Sequence, residues 1–171
     1  SNETFAFPDG RSMTTITRST LTSDERIAWL LARGPRTGEG VLALADAYNS
    51  QAKREDMIRV IREAWRTRVM SAGAAATIQV QYAGDLTAED HFARADMFLW
   101  RADTKSAQAL LPKLTAGRKK VIEARIALMK NAKNVDKTVN AVPSEYIDDP
   151  GLLYDRARWA DFDVIGIPDS A

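Results

Sequence analysis

The single histidine of the chain lies directly after two carboxylates, and this is the first arrangement that could do chemistry. Glu89, Asp90 and His91 are consecutive in GDLTAEDHFARADMFLW, residues 84–100. An imidazole beside carboxylates could bind a metal or transfer protons. Ligands on one helix, however, need i, i+3 or i, i+4 spacing, and no second histidine is present. Thr87 and Asp90 instead have the spacing of a capping box, so we predict a helix start with no catalytic or metal role. The pattern leaves open whether His91 packs beside the cap or faces solvent.

Two pairs of carboxylates could in principle serve glycoside chemistry. Asp148 and Asp149 precede a predicted helix, where a carboxylate commonly caps the first turn. Asp161 and Asp163 lie in DFDVIGIPDS, residues 161–170, whose glycine and proline predict a turn. A general acid also needs a pocket around it. We therefore predict structural roles for both pairs.

Basic residues form two clusters, but the overall charge is balanced. The clusters are Arg54, Arg59, Arg62 and Arg66, and then Arg118, Lys119 and Lys120. With 24 basic and 23 acidic residues the formal net charge is +1, which gives no reason to expect nucleic acid or an anionic membrane as the main partner. We predict that both clusters form the solvated faces of amphipathic helices, with a polyanion-binding groove as the secondary interpretation.

The remaining chemical signals are weak or absent. Four tryptophans, Trp29, Trp65, Trp100 and Trp159, fall near helix ends or on apolar stripes, where core packing is favoured over sugar stacking. The chain has no cysteine, which excludes disulfides and thiolate metal sites. It also lacks a P-loop, a G-x-G-x-x-G and a G-x-S-x-G motif. We accordingly predict no catalytic residue, no cofactor and no metal.

The apolar spacing predicts an all-α chain. Helices are expected at about 22–34, 39–48, 54–66, 72–82, 87–100, 105–111, 118–130, 135–142 and from 150 onward. The alternation in TIQVQY leaves a short strand as the alternative within 72–82. Successive helices pair as hairpins with short polar turns, and one hairpin cannot bury its apolar stripe alone. The interpretation is an α-solenoid, or superhelix, of degenerate tetratricopeptide-like hairpins over residues 22–160.

The two ends of the chain have different patterns from this helical part. Residues 1–21 are rich in Thr and Ser and predict an irregular lead-in, and the opening SNETFAFPDG does not match a signal peptide. Residues 161–171 are expected to form an irregular or truncated tail. The chain would then be a fragment of a longer protein, or segments joined across omitted residues. No apolar run approaches the roughly 20 residues of a spanning helix.

Six blocks, in this order, together carry a family resemblance. They are REAWR (62–66), GDLTAEDHFARADMFLW (84–100), LLPKL (110–114), EARIAL (123–128), VDKTVNAVP (135–143) and DDPGLLYDRARW (148–159). Their order and spacing resemble the N-terminal superhelical region of soluble lytic murein transglycosylases, over most of the chain from about Asp24. The second and the last block are the most specific.

The resemblance implies a periplasmic protein that acts on peptidoglycan. Members of the family cleave the β-1,4 link between N-acetylmuramic acid and N-acetylglucosamine and leave a 1,6-anhydro end. Their catalytic glutamate lies in a Glu-Ser pair of a lysozyme-like C-terminal domain. No glutamate in this chain is followed by serine, and the look-alike GLLY at 151–154 falls inside a helical block. The resemblance therefore extends to the scaffold alone, and no catalytic residue is carried over.

Two functions follow from these observations. The first is the non-catalytic superhelical scaffold of a lytic transglycosylase, inactive alone, with peptidoglycan glycan strands and cell-wall proteins as partners. The second is a free-standing helical-repeat adaptor that binds a protein or peptide. A helical-repeat nucleic-acid binder is disfavoured by the charge balance.

Overall fold

The computed structural model of the chain describes residues 5–6, 12–13 and 21–164, with side chains from 21 to 161. Most of the predicted lead-in and residues 165–171 of the predicted tail lie outside the described residues. Within the lead-in, β1 (Phe5–Ala6) and β2 (Ser12–Met13) pair antiparallel.

The rest of the described chain is helical, which confirms the all-α class. Its α-helices are α1 (Ser23–Arg33), α2 (Gly38–Ser50), α3 (Arg54–Thr67), α4 (Ala72–Gln81), α5 (Ala88–Trp100), α6 (Thr104–Ala109), α7 (Ala116–Met129), α8 (Val135–Asn140) and α9 (Pro150–Val164). Short 3₁₀ turns lie at Ala83–Asp85, Leu111–Lys113 and Ser144–Tyr146. The sequence left a short strand possible within residues 72–82, and the structure has the helix α4 there. The chain divides into two compact units, Ser1–Leu86 and Thr87–Ala171.

The first unit is built around α2, which packs against α1, α3 and α4. The faces that meet are apolar and buried: Val41, Leu44, Ala45, Ile61, Trp65 and Ile78 are each at most 1% exposed. Trp65 fills the largest part of this core, as its helical spacing with Met57 and Ile61 predicts.

The second unit is built around α7, which contacts α5, α6, α8 and α9. Val121, Ile122 and Ala124 of α7 are fully buried, together with Ala95 on α5 and Leu152 on α9. Since α5 and α9 also contact each other, the three long helices of this unit meet pairwise. Charged residues of all three helices also lie at this meeting point.

Local signals set the ends of several helices. The Thr22 side chain accepts a hydrogen bond from the Glu25 amide, and α1 ends at Gly34, whose φ of 67° suits glycine. α9 begins at Pro150, in accord with the preference for proline in the first turn. α9 continues to Val164, beyond the predicted end of the helical region at residue 160.

No helix in residues 21–164 is both long and apolar enough to cross a lipid bilayer.

Candidate functional site

The start of α5 is a complete capping box, as predicted. The Thr87 Oγ1 accepts a hydrogen bond from the Asp90 amide at 3.2 Å, and the Asp90 Oδ2 accepts one from the Thr87 amide at 2.8 Å. Asp90 is fully buried, so its carboxylate serves the first turn of the helix and is not available to solvent.

His91 packs into the unit rather than facing solvent, which settles the alternative that the sequence left open. Its side chain is 8% exposed. Burial lowers its pKa, and the nearby Lys113 ammonium adds to this effect. Among the described residues no group of three or more His, Cys, Asp or Glu could hold a metal ion. Asp90 and His91 are therefore buried at the start of α5, while Glu89 is exposed.

The two carboxylate pairs have different outcomes. The Asp149 Oδ2 accepts a hydrogen bond from the Leu152 amide at 3.0 Å, which is the predicted cap at the start of α9. Asp161 and Asp163 lie within α9, so the turn predicted for them is wrong. The helical pattern outlasts Trp159 because the first helix breakers, Gly166 and Pro168, come later in the chain.

A charged cluster that the sequence did not predict lies where α5, α7 and α9 meet. The Arg125 side chain on α7 is fully buried, and its Nε donates to Asp155 Oδ2 on α9 at 2.7 Å. Its Nη1 donates to Asp96 Oδ1 on α5 at 2.6 Å. We call Arg125, Asp96 and Asp155 the Arg125 cluster. One guanidinium thus joins three helices through two charge-assisted hydrogen bonds.

The backbone of α9 makes room for this guanidinium at Gly151. A Cβ at this position would overlap the Cζ and Nη1 atoms of Arg125. The Arg125 Nη2 is buried and has no hydrogen-bond partner within the described chain. Burial raises the pKa of Asp96, while the Arg125 charge opposes that rise. Asp155 is 6% exposed and Asp96 is 32% exposed, so only Asp96 can meet a solute.

A second charged cluster of the same kind lies nearer the start of α5, α7 and α9. The Arg118 Nη2 lies 3.4 Å from Glu89 Oε2 on α5, and its Nη1 lies 4.0 Å from Asp149 Oδ1 before α9. We call these three residues the Arg118 cluster. Its guanidinium also packs 4.2 Å from the Phe92 ring centroid and 4.4 Å from that of Tyr146. Arg118 is therefore half-buried, and the predicted solvated position is wrong for it.

The spacing of the two clusters is the signal that could have revealed them. Arg118 and Arg125 are seven residues apart, as are Glu89 and Asp96. Seven residues are close to two helical turns, so each pair shares one face of its helix. A charged residue that repeats on a helix face shared with apolar residues indicates an interhelical pair.

The other basic residues mostly fit the expected solvated face. Arg54 is exposed and pairs with Asp85 at 2.8 Å, and Arg59 is exposed and pairs with Asp56 at 2.8 Å. Lys120 pairs with Glu123 at 3.6 Å. The other two arginines of the first cluster, at positions 62 and 66, are half-buried.

The four tryptophans do not share one environment. Trp65 is buried, while Trp29 and Trp159 are half-buried. Trp100 is 49% exposed, so its predicted place in the core is wrong. Trp100 is the last residue of α5. Its ring contacts that of Tyr154, with the two centroids 5.0 Å apart.

A groove of about 520 Å³ lies between α8 and α9. Its apolar lining includes Leu128, Val139, Leu153 and Trp159. Asp136, Asn140 and Arg156 supply polar groups along the same groove. The Trp159 Nε1 donates to Asn131 Oδ1 at 2.9 Å, which fixes one wall of the groove.

Comparison with known proteins adds no relative: no family model, no curated protein and no solved structure matches the chain. The chemistry that the described residues can do is therefore inferred from their geometry alone. Their buried carboxylates cap helices or pair with arginines, and these arrangements hold helices together.

Proposed function

We propose that this chain is a non-catalytic helical scaffold of a peptidoglycan lytic transglycosylase. The observation that supports the proposal most is where the residues of the resembling blocks lie. Asp96 belongs to GDLTAEDHFARADMFLW, Arg125 to EARIAL and Asp155 to DDPGLLYDRARW. Three blocks that are distant in sequence supply one buried cluster. The blocks thus supply residues that pack helices together, which is the role expected of residues in a scaffold region.

In this proposal the α-superhelical arrangement shapes a path for glycan strands toward a catalytic domain elsewhere in the full protein. The scaffold itself supplies no general acid. The carboxylates best shielded from water, Asp90 and Asp155, are held by the Thr87 cap and by Arg125. A general acid must instead be free to give a proton to the glycosidic oxygen.

The proposal includes the location and the partners that the resemblance implies. The protein would act in the periplasm of a bacterium, on peptidoglycan glycan strands, with cell-wall proteins as further partners. Nucleic acid is not among the proposed partners, since the formal net charge is only +1.

The test is incubation of the chain with purified peptidoglycan sacculi. We expect the protein to sediment with the sacculi and to release no 1,6-anhydro muropeptides above a sample without protein. Appreciable anhydro product would overturn the assignment as non-catalytic. Failure to sediment would argue against the peptidoglycan assignment.

A second candidate is a helical-repeat adaptor, and the groove between α8 and α9 favours it. An amphipathic helix commonly binds in a groove lined by apolar side chains of two neighbouring helices, here Val139 and Leu153. Pull-down experiments separate the two functions. Capture of sacculi supports the scaffold, whereas capture of a protein partner without sacculi supports the adaptor.

A further inference from the structure

The exposed aromatic residues of the described chain lie together. Among its large hydrophobic side chains that are exposed, only Trp100 and Tyr154 are aromatic, at 49% and 46% exposure. They come from α5 and α9, yet their ring centroids are 5.0 Å apart and their planes are inclined at 48°. We call these two residues the aromatic pair. Two rings exposed side by side form an apolar surface that water covers poorly.

Polar groups lie at both ends of this surface. The Asp96 carboxylate lies one turn before Trp100 on α5 and is 32% exposed. The exposed Arg158 guanidinium lies 5.9 Å from the Tyr154 ring centroid. An acceptor and a donor therefore flank two apolar ring faces. Sugars present both kinds of surface, an apolar C–H face and a rim of hydroxyl groups.

The aromatic pair is also fixed in place. The buried Arg125 guanidinium lies 5.3 Å from the Trp100 ring centroid and is itself held by Asp96 and Asp155. The ring thus rests on a charged group that cannot easily move. A ring held in advance loses little conformational freedom when a ligand stacks on it.

We propose that the aromatic pair, with Asp96 and Arg158, is a carbohydrate-binding surface for the β-1,4-linked amino-sugar strand. The C–H face of one sugar stacks on Trp100 and that of the next contacts Tyr154. A sugar hydroxyl donates to Asp96, and another oxygen accepts from Arg158. This inference rests on the proposed function, because it names the part of the scaffold that contacts the glycan.

The test measures binding of soluble β-1,4-linked N-acetylglucosamine oligomers by isothermal titration calorimetry. We expect Trp100→Ala to weaken binding about tenfold, and Tyr154→Ala to weaken it by a smaller factor, because each removes a stacking face. Trp100→Phe keeps a ring and should recover most of the affinity. Val80→Ala is the matched control, since Val80 is 80% exposed and lies in the other unit.

Thermal unfolding of each variant separates a lost surface from a lost fold. Tyr154→Ala keeps the test valid if Trp100→Ala unfolds the protein through its contact with Arg125. Wild-type affinity in a folded Trp100→Ala or Tyr154→Ala variant would overturn the proposal. So would wild-type protein that binds no oligomer.

Sedimentation with sacculi distinguishes this failure from that of the proposed function. If wild type and Trp100→Ala bind sacculi equally, the scaffold assignment stands and the aromatic pair is not the glycan surface. If wild type binds neither sacculi nor oligomers, both proposals fail. Self-association that Trp100→Ala abolishes would assign the aromatic pair to a protein contact instead, and would also overturn the carbohydrate proposal.

Discussion

The Arg125 and Arg118 clusters are built from the same parts but lie in different environments. Each joins one arginine of α7 to a carboxylate of α5 and to a carboxylate on α9 or just before it. In the Arg125 cluster the arginine is fully buried and its two contacts measure 2.6 and 2.7 Å. In the Arg118 cluster the side chain is 24% exposed and the contacts measure 3.4 and 4.0 Å.

This contrast indicates that burial, more than composition, determines how much an ion pair contributes to stability. Water competes with the carboxylates for Arg118, so breaking that cluster leaves groups that water can solvate. No such replacement is available in the Arg125 cluster. Removal of Arg125 leaves Asp155 buried without its cation, and removal of Asp155 leaves the buried guanidinium with Asp96 as its one carboxylate. Three predictions test this difference and a fourth concerns His91, in order of expected effect.

Arg125→Ala should cause the largest loss of stability. It leaves Asp155 buried without its cation, and we expect the free energy of unfolding to fall by about 3–5 kcal/mol. Urea denaturation followed by circular dichroism measures the change. Replacing both partners, Arg125→Met with Asp155→Leu, should recover most of it because no fully buried charge remains. A loss below about 1 kcal/mol for Arg125→Ala would place this cluster in the class of surface ion pairs.

Gly151→Ala should cause the next largest loss of stability. The new methyl group would overlap the Arg125 guanidinium, and we expect a loss of about 1–3 kcal/mol from overpacking. Gly73→Ala in α4 is the matched control, because its surroundings are open and alanine favours a helix by up to about 1 kcal/mol. Equal effects of the two substitutions in thermal unfolding would contradict the close packing at Gly151.

Arg118→Ala should cost only about 1 kcal/mol, from its ion pairs and its contacts with Phe92 and Tyr146 together. The ion-pair part should shrink at about 1 M NaCl, where the screening length is short. The Arg125→Ala effect should change little with salt. Denaturation of both variants at low and high salt checks this contrast, and equal salt dependence would argue against it.

The smallest predicted effect is the pH dependence from His91. Burial lowers its pKa in the folded state, so the unfolded chain binds the proton more readily. Stability should therefore fall as the pH is lowered through the unfolded pKa of about 6.5. His91→Gln should remove this part of the pH dependence. An unchanged slope between the two proteins would show that His91 does not cause it.

Much of the helical structure could be predicted because helix ends depend on local residues. Thr22 and Gly34 bound α1, and the box of Thr87 with Asp90 starts α5, in both the sequence and the structure. The end of α9 was placed too early because the aspartates at 161 and 163 resemble turn residues when they are considered without their helical neighbours. The solenoid arrangement stays a prediction.

The charged clusters were not predicted, because the seven-residue spacing of their charges shows which residues share a helix face but not which helices meet. An amphipathic pattern assigns every arginine to the solvent side, and only the helix packing shows that Arg125 and Arg118 point toward carboxylates. The same limit explains the wrong prediction for Trp100. Its apolar stripe favours the core, but the residue lies in the last turn of α5 and is exposed. The close packing at Gly151 also depends on another helix, because the Arg125 guanidinium of α7 leaves no room for a Cβ there.

A double-mutant cycle between Arg125 and Asp155 tests most directly whether the charges of the resembling blocks hold the helices together. The free energy of unfolding is measured for wild type, for each alanine variant and for the double variant. We expect a coupling energy of at least about 2 kcal/mol, against less than about 1 kcal/mol for the matched cycle of Arg118 with Glu89. A coupling of Arg125 with Asp155 within about 0.5 kcal/mol of zero would contradict the claim that these charges hold the helices together.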